Sequence, residues 1–259
     1  MLAAGGAYSR FLEPQWLCTE RVTIRLKRLP AVLNGFTITQ LSDLHRGPYV
    51  AEHEIQSAVG QANRLRADLI VLTGDYVSHS AKYARSCANL LGALQARFGV
   101  VAILGNHDHW TDASTVAREL ESQKIRVLRN EALAIEKDET RLWIAGVDDV
   151  WEEKADLALA LRQVPKDEVT VLLAHEPDYA DTASAYPVDL QLSGHSHGGQ
   201  VRLPLLGAPR LPYLGIKYPA GLRSVGSMQV YTNRGIGVIN PPVRFGRRPE
   251  ITLLTLFSA

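Results

Sequence analysis

Residues 68–75, Asp68-Leu-Ile-Val-Leu-Thr-Gly-Asp75, form a short continuous apolar run that stops at a glycine and a carboxylate. A run without alternation has the pattern of a strand covered on both faces, as in a parallel sheet. The segment before it, Glu54–Arg66, places Ile55, Ala58, Val59, Ala62 and Leu65 at i, i+3 and i+4 spacing, which predicts a helix. Earlier still, Phe36-Thr-Ile-Thr-Gln-Leu41 alternates, is rich in β-branched residues, and stops at the polar loop Ser42-Asp43-Leu44-His45-Arg46-Gly47. Strand, helix and strand in that order predict a parallel pair.

The same unit recurs downstream. Ala81–Ala96 has helical composition, and Val100–Leu104 is a third buried strand that opens into Gly105-Asn106-His107-Asp108. A helix over Thr115–Gln123 is followed by strand-like stretches at Ile125–Leu128, Ala132–Glu136 and Leu142–Val147, then a helix over Ala155–Arg162. Val169–Ala174 ends at His175-Glu176-Pro177, and Val188–Leu192 ends at Ser193-Gly194-His195-Ser196-His197-Gly198-Gly199. Leu203–Leu222 is rich in proline, glycine and aromatics and reads as an ordered, irregular loop; Met228–Thr232 and Ile251–Phe257 close the chain as strands. No internal repeat or low-complexity tract interrupts this pattern.

The 259 residues are 46% hydrophobic and 21% charged, enough for a sizeable core. Lys plus Arg (28) nearly balance Asp plus Glu (27), so no overall field draws the chain to nucleic acid or to an anionic membrane, and any anion site must be local. The two cysteines, Cys18 and Cys87, make no disulfide framework and stand in no metal-ligand spacing. No run approaches the roughly 20 apolar residues of a spanning helix. The start, Met1-Leu-Ala-Ala-Gly-Gly-Ala-Tyr8, is apolar and rich in small residues, compatible equally with the stub of a signal or anchor and with a frayed terminus. We therefore expect an N-terminal extension over 1–32 and a single domain over 33–259.

Five apolar strands thus end in loops carrying Asp, His or Asn, and ligands bind at the carboxyl ends of strands in open α/β sheets. Of the 8 histidines, His45, His107, His175, His195 and His197 fall at these ends. Imidazole and carboxylate together favour Mn, Fe, Zn or Co over Mg or Ca. Two such ions roughly 3.5–4 Å apart can share a carboxylate, acidify a water and neutralise phosphoryl charge. Asp75 is the candidate for the shared carboxylate.

The ordered set Asp43-Leu-His45, Gly74-Asp75, Gly105-Asn106-His107-Asp108, His175 and Gly194-His195-Ser196-His197 resembles the calcineurin-like metallophosphoesterases. Phe11-Leu-Glu-Pro14, Gly215–Gly221 and Tyr231–Gly237 look like a bacterial branch of that family, the YkuE-like and YaeI-like phosphoesterases. The resemblance implies a four-layer α/β/β/α sandwich of two mixed β-sheets flanked by helices. It implies that Asp43, His45 and His197 hold one divalent ion, that Asn106, His175 and His195 hold the other, and that Asp75 bridges them. His107 is then free to contact the phosphate and protonate the leaving oxygen, with Asp108 orienting its imidazole.

The expected activity is hydrolysis of a phosphodiester or pyrophosphate bond in a small or lipid-linked substrate, UDP-2,3-diacylglucosamine being one type. A phosphomonoesterase, protein phosphatase or nuclease on the same core, or a silent metal-binding scaffold, are the alternatives. Arg46, His109, Lys217, Arg223 and Arg234 are candidate phosphate contacts, and Trp110 suits either stacking on a base or lipid, or packing. We expect a monomer with no nucleic-acid partner and with peripheral membrane contact. Its place is cytoplasmic or at the membrane surface, with export the alternative if a signal precedes this start.

Overall fold

The computed structural model describes residues 2–259, with side chains from residue 5. After a short helix α1 (Leu2–Ala7), the chain builds two six-stranded sheets. The first sheet contains β1 (Cys18–Leu26), β2 (Phe36–Leu41), β3 (Leu69–Thr73), β4 (Val100–Ile103), β5 (Arg126–Val127) and β12 (Glu250–Ser258) in the order β1-β12-β2-β3-β4-β5. The second contains β6 (Glu131–Lys137), β7 (Thr140–Gly146), β8 (Thr170–Leu173), β9 (Leu190–Ser193), β10 (Gly221–Val225) and β11 (Met228–Thr232) in the order β10-β11-β9-β8-β7-β6. Each has a run of parallel strands and one or more antiparallel partners, so both are mixed.

Three apolar layers follow from the two-residue period of the strands. In β3, Leu69 and Val71 face the second sheet, where they meet Val171, Leu173 and Leu192 in the core between the sheets. The alternate residues Ile70 and Leu72 face outward and pack with helices α2 (Glu52–Leu65), α3 (Ala84–Leu91) and α5 (Ala113–Ser122) through Ile55, Leu91 and Val116. Both faces of β3 are therefore buried, which explains its unbroken apolar run. A third core joins the outer face of the second sheet to α6 (Leu157–Ala160) and α7 (Ala180–Ala183). The four layers are the α/β/β/α sandwich expected from the resemblance.

Three local expectations differ. Residues inside the expected 1–32 extension form β1, which pairs in parallel with β12 from Cys18↔Glu250 to Leu26↔Ser258, so no structural break falls at 32/33. Its sequence, Cys-Thr-Glu-Arg-Val-Thr-Ile-Arg-Leu, is largely polar because β1 is an edge strand, half exposed until Ile24 and Leu26 reach the inter-sheet core. The Gly105-Asn106-His107-Asp108 segment opens a helix, α4 (Asn106–Thr111), rather than a loop. The helix read over Ala155–Arg162 is confined to Leu157–Ala160. No described helix is long and apolar enough to cross a membrane.

Candidate metal centre

The carboxyl ends of β2, β3, β4, β8 and β9 converge on one edge of the sandwich. Beyond the strands the loops remain joined: the Asp43 N–H donates to the Gly74 carbonyl (3.0 Å), the His45 N–H to the Asp75 carbonyl (2.9 Å), and the Gly194 N–H to the His175 carbonyl (3.0 Å). The motif glycines are needed for this close approach. A Cβ on Gly105 would stand 2.8 Å from His175 Nε2 and collide with Asp75 Oδ1, and one on Gly194 would collide with Ser42 and Asp43. Five residues of the expected metal set, Asp43, His45, Asp75, His195 and His197, have positive φ between 49° and 69°, a region sparsely used by residues other than glycine.

All seven expected ligands, Asp43, His45, Asp75, Asn106, His175, His195 and His197, are buried and brought together. Each imidazole has its outer nitrogen occupied. His175 Nδ1 contacts the Thr73 carbonyl (2.6 Å), His195 Nε2 the Tyr213 carbonyl (2.7 Å) and His45 Nδ1 the Ser78 hydroxyl (2.8 Å). A carbonyl partner requires the outer nitrogen of His175 and His195 to carry the proton, which leaves the inner lone pair for a cation. The inner atoms crowd together: His45 Nε2 is 3.0 Å from His197 Nε2, His175 Nε2 is 3.2 Å from Asp75 Oδ2, and His197 Nε2 is 3.4 Å from Asp43 Oδ1. His195 Nδ1 lies 3.1 Å from Asn106 Oδ1.

Two of these observations test whether metal ions suit the site. His175 Nε2 is buried and, although Asp75 Oδ2 lies 3.2 Å away, forms no aligned hydrogen bond among the described residues. His45 Nε2 and His197 Nε2 also face each other at 3.0 Å, where one ring can donate to the other or both can turn lone pairs to a shared cation. A cation beside His175 Nε2 and another between His45 and His197 suit these lone pairs, so the residues fit a divalent pair. Asp43, His45 and His197 place donors within 4.8 Å of one another, as do Asp43, Asp75 and His175, and His175, Glu176 and His195; Asp75 is also grouped with His45 and His107. Asp75 thus shares one group with His45 and another with His175. Its electrostatics agree: burial alone would raise the carboxyl, but His175, His107 and His45 outweigh it and hold it well below the usual range. Burial drives His45 and His197 down, and His195 to about 3, which keeps these rings neutral and ready to ligate.

His107 stands at the solvent side of this set, half-buried, its ring edge-on to His45 at 4.7 Å and tilted against Trp110 at 4.8 Å. Its N–H donates to Asp75 Oδ1 (2.9 Å), which locks the backbone of α4 to the metal set. Asp108 does not orient the His107 ring. Asp108 Oδ2 accepts from the N–H groups of Asp75 (2.8 Å) and Gly105 (3.0 Å), and Oδ1 from those of Tyr76 (2.9 Å) and Val77 (3.3 Å). The reason is the helix: at its third position, Asp108 reaches back to the orphan amide of Gly105 and the adjacent turn.

The expected phosphate cations lie elsewhere. Arg46 donates to the Gly47 and Val50 carbonyls, His109 pairs with Asp148 (2.8 Å), Lys217 with Asp181 (2.7 Å), and Arg234 with Glu20 and Glu250 (both 2.7 Å), while Arg223 is exposed on β10. The partners of His109, Lys217 and Arg234 are distant in sequence and invisible to a one-dimensional reading. Arg210 instead lines a cavity of about 640 Å³ that opens beside Asp75, Asn106, His107 and His197. Its wall is aromatic and aliphatic: Trp110, Trp151, Leu211, Pro212, Tyr213 and Ile239. Trp151 packs edge-on against Trp110, His195 and Tyr213, with ring centroids 5.2–5.6 Å apart.

Arg244 also escaped the sequence reading, because it belongs to no motif. Fully buried behind His197, its guanidinium donates to the carbonyls of Arg234, Gly235, Gly237 and Arg247 and sits 3.3 Å from His197 Nδ1. Burial lowers it to about 10, so it remains charged at neutral pH and adds positive charge behind the centre.

A buried set of four imidazoles, two carboxylates and an amide at the strand ends of an α/β/β/α sandwich is the arrangement of a metal-dependent hydrolase. The sequence profile of the calcineurin-like phosphoesterases matches residues 36–199, and the chain belongs to that family, the metal-dependent hydrolases of phosphoric esters. It is 38% identical to the metallophosphoesterase YkuE of Bacillus subtilis (strain 168), over 99% of this chain and 92% of that one. It is 32% identical to the phosphodiesterase YaeI of Escherichia coli (strain K12), over 98% and 93% of the respective chains. Among solved structures, TT1561 of Thermus thermophilus shares the fold with a TM-score of 0.53 at 15% identity, covering 78% of this chain and 90% of that one.

Proposed function

We propose that the chain hydrolyses a phosphodiester or pyrophosphate bond in a substrate with a bulky apolar part, a nucleotide-linked lipid such as UDP-2,3-diacylglucosamine being one type. The observation that carries this reading is the cavity beside His107 and the metal set, with Trp110, Trp151, Tyr213 and Leu211 in its wall and Arg210 the one arginine among the described residues that line it. A single cation suits a phosphate that retains one negative charge better than the dianion of a monoester. An apolar wall also suits a lipid or aromatic group better than the polyanionic backbone a nuclease must follow.

Asp43, His45 and His197 would hold one divalent ion and Asn106, His175 and His195 the other, with Asp75 shared. Such ions, when bound, polarise a phosphoryl group and make an adjacent water more acidic. His107 is the general acid: as water adds to phosphorus and the bond to the leaving oxygen breaks, its ring gives that oxygen a proton, and the proton released by the attacking water passes to solvent, from which the ring is recharged. Arg210 orients the phosphate, and the Trp110–Trp151–Tyr213 wall receives the apolar part of the substrate.

The test is hydrolysis of bis-p-nitrophenyl and p-nitrophenyl phosphate by metal-stripped protein with Mn, Zn, Fe or Co restored. Preference for the diester supports the reading; a clear preference for the monoester overturns it. His107→Ala should keep its metal content and lose about 10²–10⁴-fold in turnover, and loss of metal in that variant would remove His107 from the role of acid.

A further inference from the structure

One end of the molecule combines features that the metal centre does not use. The strap after His197 carries a tight turn, Leu203-Pro-Leu-Leu206, closed by hydrogen bonds between the Leu203 and Gly207 backbones (2.8 and 3.0 Å). Leu205 is fully exposed with φ of 67°, and Leu206 is 80% exposed. Beside it lies the N-terminal segment Tyr8–Gln15, which leaves Phe11, Leu12 and the following Trp16 more than half exposed. The two segments border one recess of about 690 Å³, where Arg202 and Pro204 meet Tyr8, Glu13, Arg247 and Arg248. The Arg202 N–H donates to the Phe245 carbonyl (2.7 Å), and Tyr8 packs edge-on against Phe245, which ties the segments together.

The charge at this end is unbalanced. Arg234 is neutralised by Glu20 and Glu250, but Arg202, Arg247 and Arg248 have no carboxylate partner among the described residues. Arg248 lies 4.0 Å over the Trp16 ring. Exposed leucines and aromatics interleaved with unpaired arginines match the interface of an anionic bilayer, whose headgroups take the guanidinium groups while apolar tips enter the acyl boundary.

We propose that this end docks on an anionic lipid surface, with Leu205, Leu206, Phe11 and Leu12 inserted and Arg202, Arg247 and Arg248 against lipid phosphates. The strap that carries the turn also supplies Gly199, Gln200 and Val201 to the wall of the catalytic cavity, so docking brings that cavity to the membrane. The substrate reading above gains from this, but the docking stands on its own and is measured without turnover.

The experiment is co-sedimentation of the full chain with phosphatidylcholine vesicles, with and without phosphatidylglycerol, alongside Arg202→Ser and Leu205→Ser/Leu206→Ser. The parent should sediment with the anionic vesicles only, and less as salt is raised. Arg202→Ser should lower partitioning about fivefold and the double leucine variant at least about tenfold, while both still hydrolyse bis-p-nitrophenyl phosphate in solution. A parent that stays in the supernatant, binds neutral vesicles equally well, self-associates instead, or is matched by both variants overturns the proposal. Sedimentation without diester hydrolysis would leave docking intact and sink the substrate reading alone.

Discussion

Replacing Asp108 by Asn separates two roles for the same carboxyl group. In the structure its Oδ2 serves Asp75 and Gly105 and its Oδ1 serves Tyr76 and Val77, at 2.8–3.3 Å and in full burial. An Asn amide has one acceptor oxygen, so it keeps one pair of donors and turns its NH2 toward the other pair. Two bonds are lost and two N–H groups are left buried without partners. Each such bond contributes about 1 kcal/mol with a neutral acceptor and up to about 3 with a charged one, so Asp108→Asn should destabilise the fold by about 2–6 kcal/mol. Against a total stability of about 5–15 kcal/mol, that is a large fraction. Urea denaturation with the metal-loaded protein reads it directly, and metal affinity should fall because the Asp75 and Gly105 loops lose their tie. If Asp108 instead served to orient His107, the variant would lose turnover with its urea midpoint unchanged. A stability change under about 1 kcal/mol would refute the reasoning from backbone bonds.

Chelation should lower the melting temperature, because Asp43, Asp75 and Asn106 follow strands of the first sheet whereas His175, His195 and His197 follow strands of the second. An ion at a thousandfold above its dissociation constant stabilises by about 4 kcal/mol, or about 8–16 °C for a chain of this size; calorimetry showing no change with EDTA would count against a bridging pair. Asp75→Asn should weaken both ions together, and a titration that finds one ion bound as tightly as in the parent would remove Asp75 from the shared position. Burial tends to raise the Asp148 carboxyl, but hydrogen bonds from His109 and the Asp149 N–H and the charge of Arg129 hold it down at about 2. A carboxyl depressed in the folded state stabilises above its ordinary value of 3.8 and loses that contribution as pH falls through about 2. The gap in urea midpoint between the parent and Asp148→Asn should therefore be steady above about pH 4 and close toward about pH 2; a gap that persists at the acid end would contradict it.

The convergence of these residues was legible because they are local to strand ends, and strand ends are marked by apolar runs that stop. Asp43, His45, Asp75, Asn106, His175, His195 and His197 each follow such a run, and all seven are buried together. What escaped depends on contacts distant in sequence. β1 is an edge strand whose polar residues a hydrophobic pattern passes over, and its place is fixed only by β12 at the far end of the chain. Lys217 and Arg234 looked free until the fold supplied Asp181 and Glu250 as partners. Trp151 and Arg210 come from irregular connections without a motif, so their meeting around the cavity leaves no trace in the sequence.

The left-handed backbone at Asp43, His45, Asp75, His195 and His197 narrows how these positions can change. Asp, Asn and His are the residues other than glycine that enter this region most readily, so the proposed ligand chemistry and the backbone geometry select the same short alphabet. Glycine would relax the turn but remove the donor, and a β-branched or bulky replacement would keep neither. For the two aspartates, Asn alone preserves both an oxygen donor and the conformation, at the loss of a charge; for the three histidines no other side chain offers an imidazole nitrogen. Directed evolution of this chain toward new substrates will therefore find its usable variation in the cavity wall around Trp110, Trp151, Arg210 and Tyr213, and almost none among these five residues.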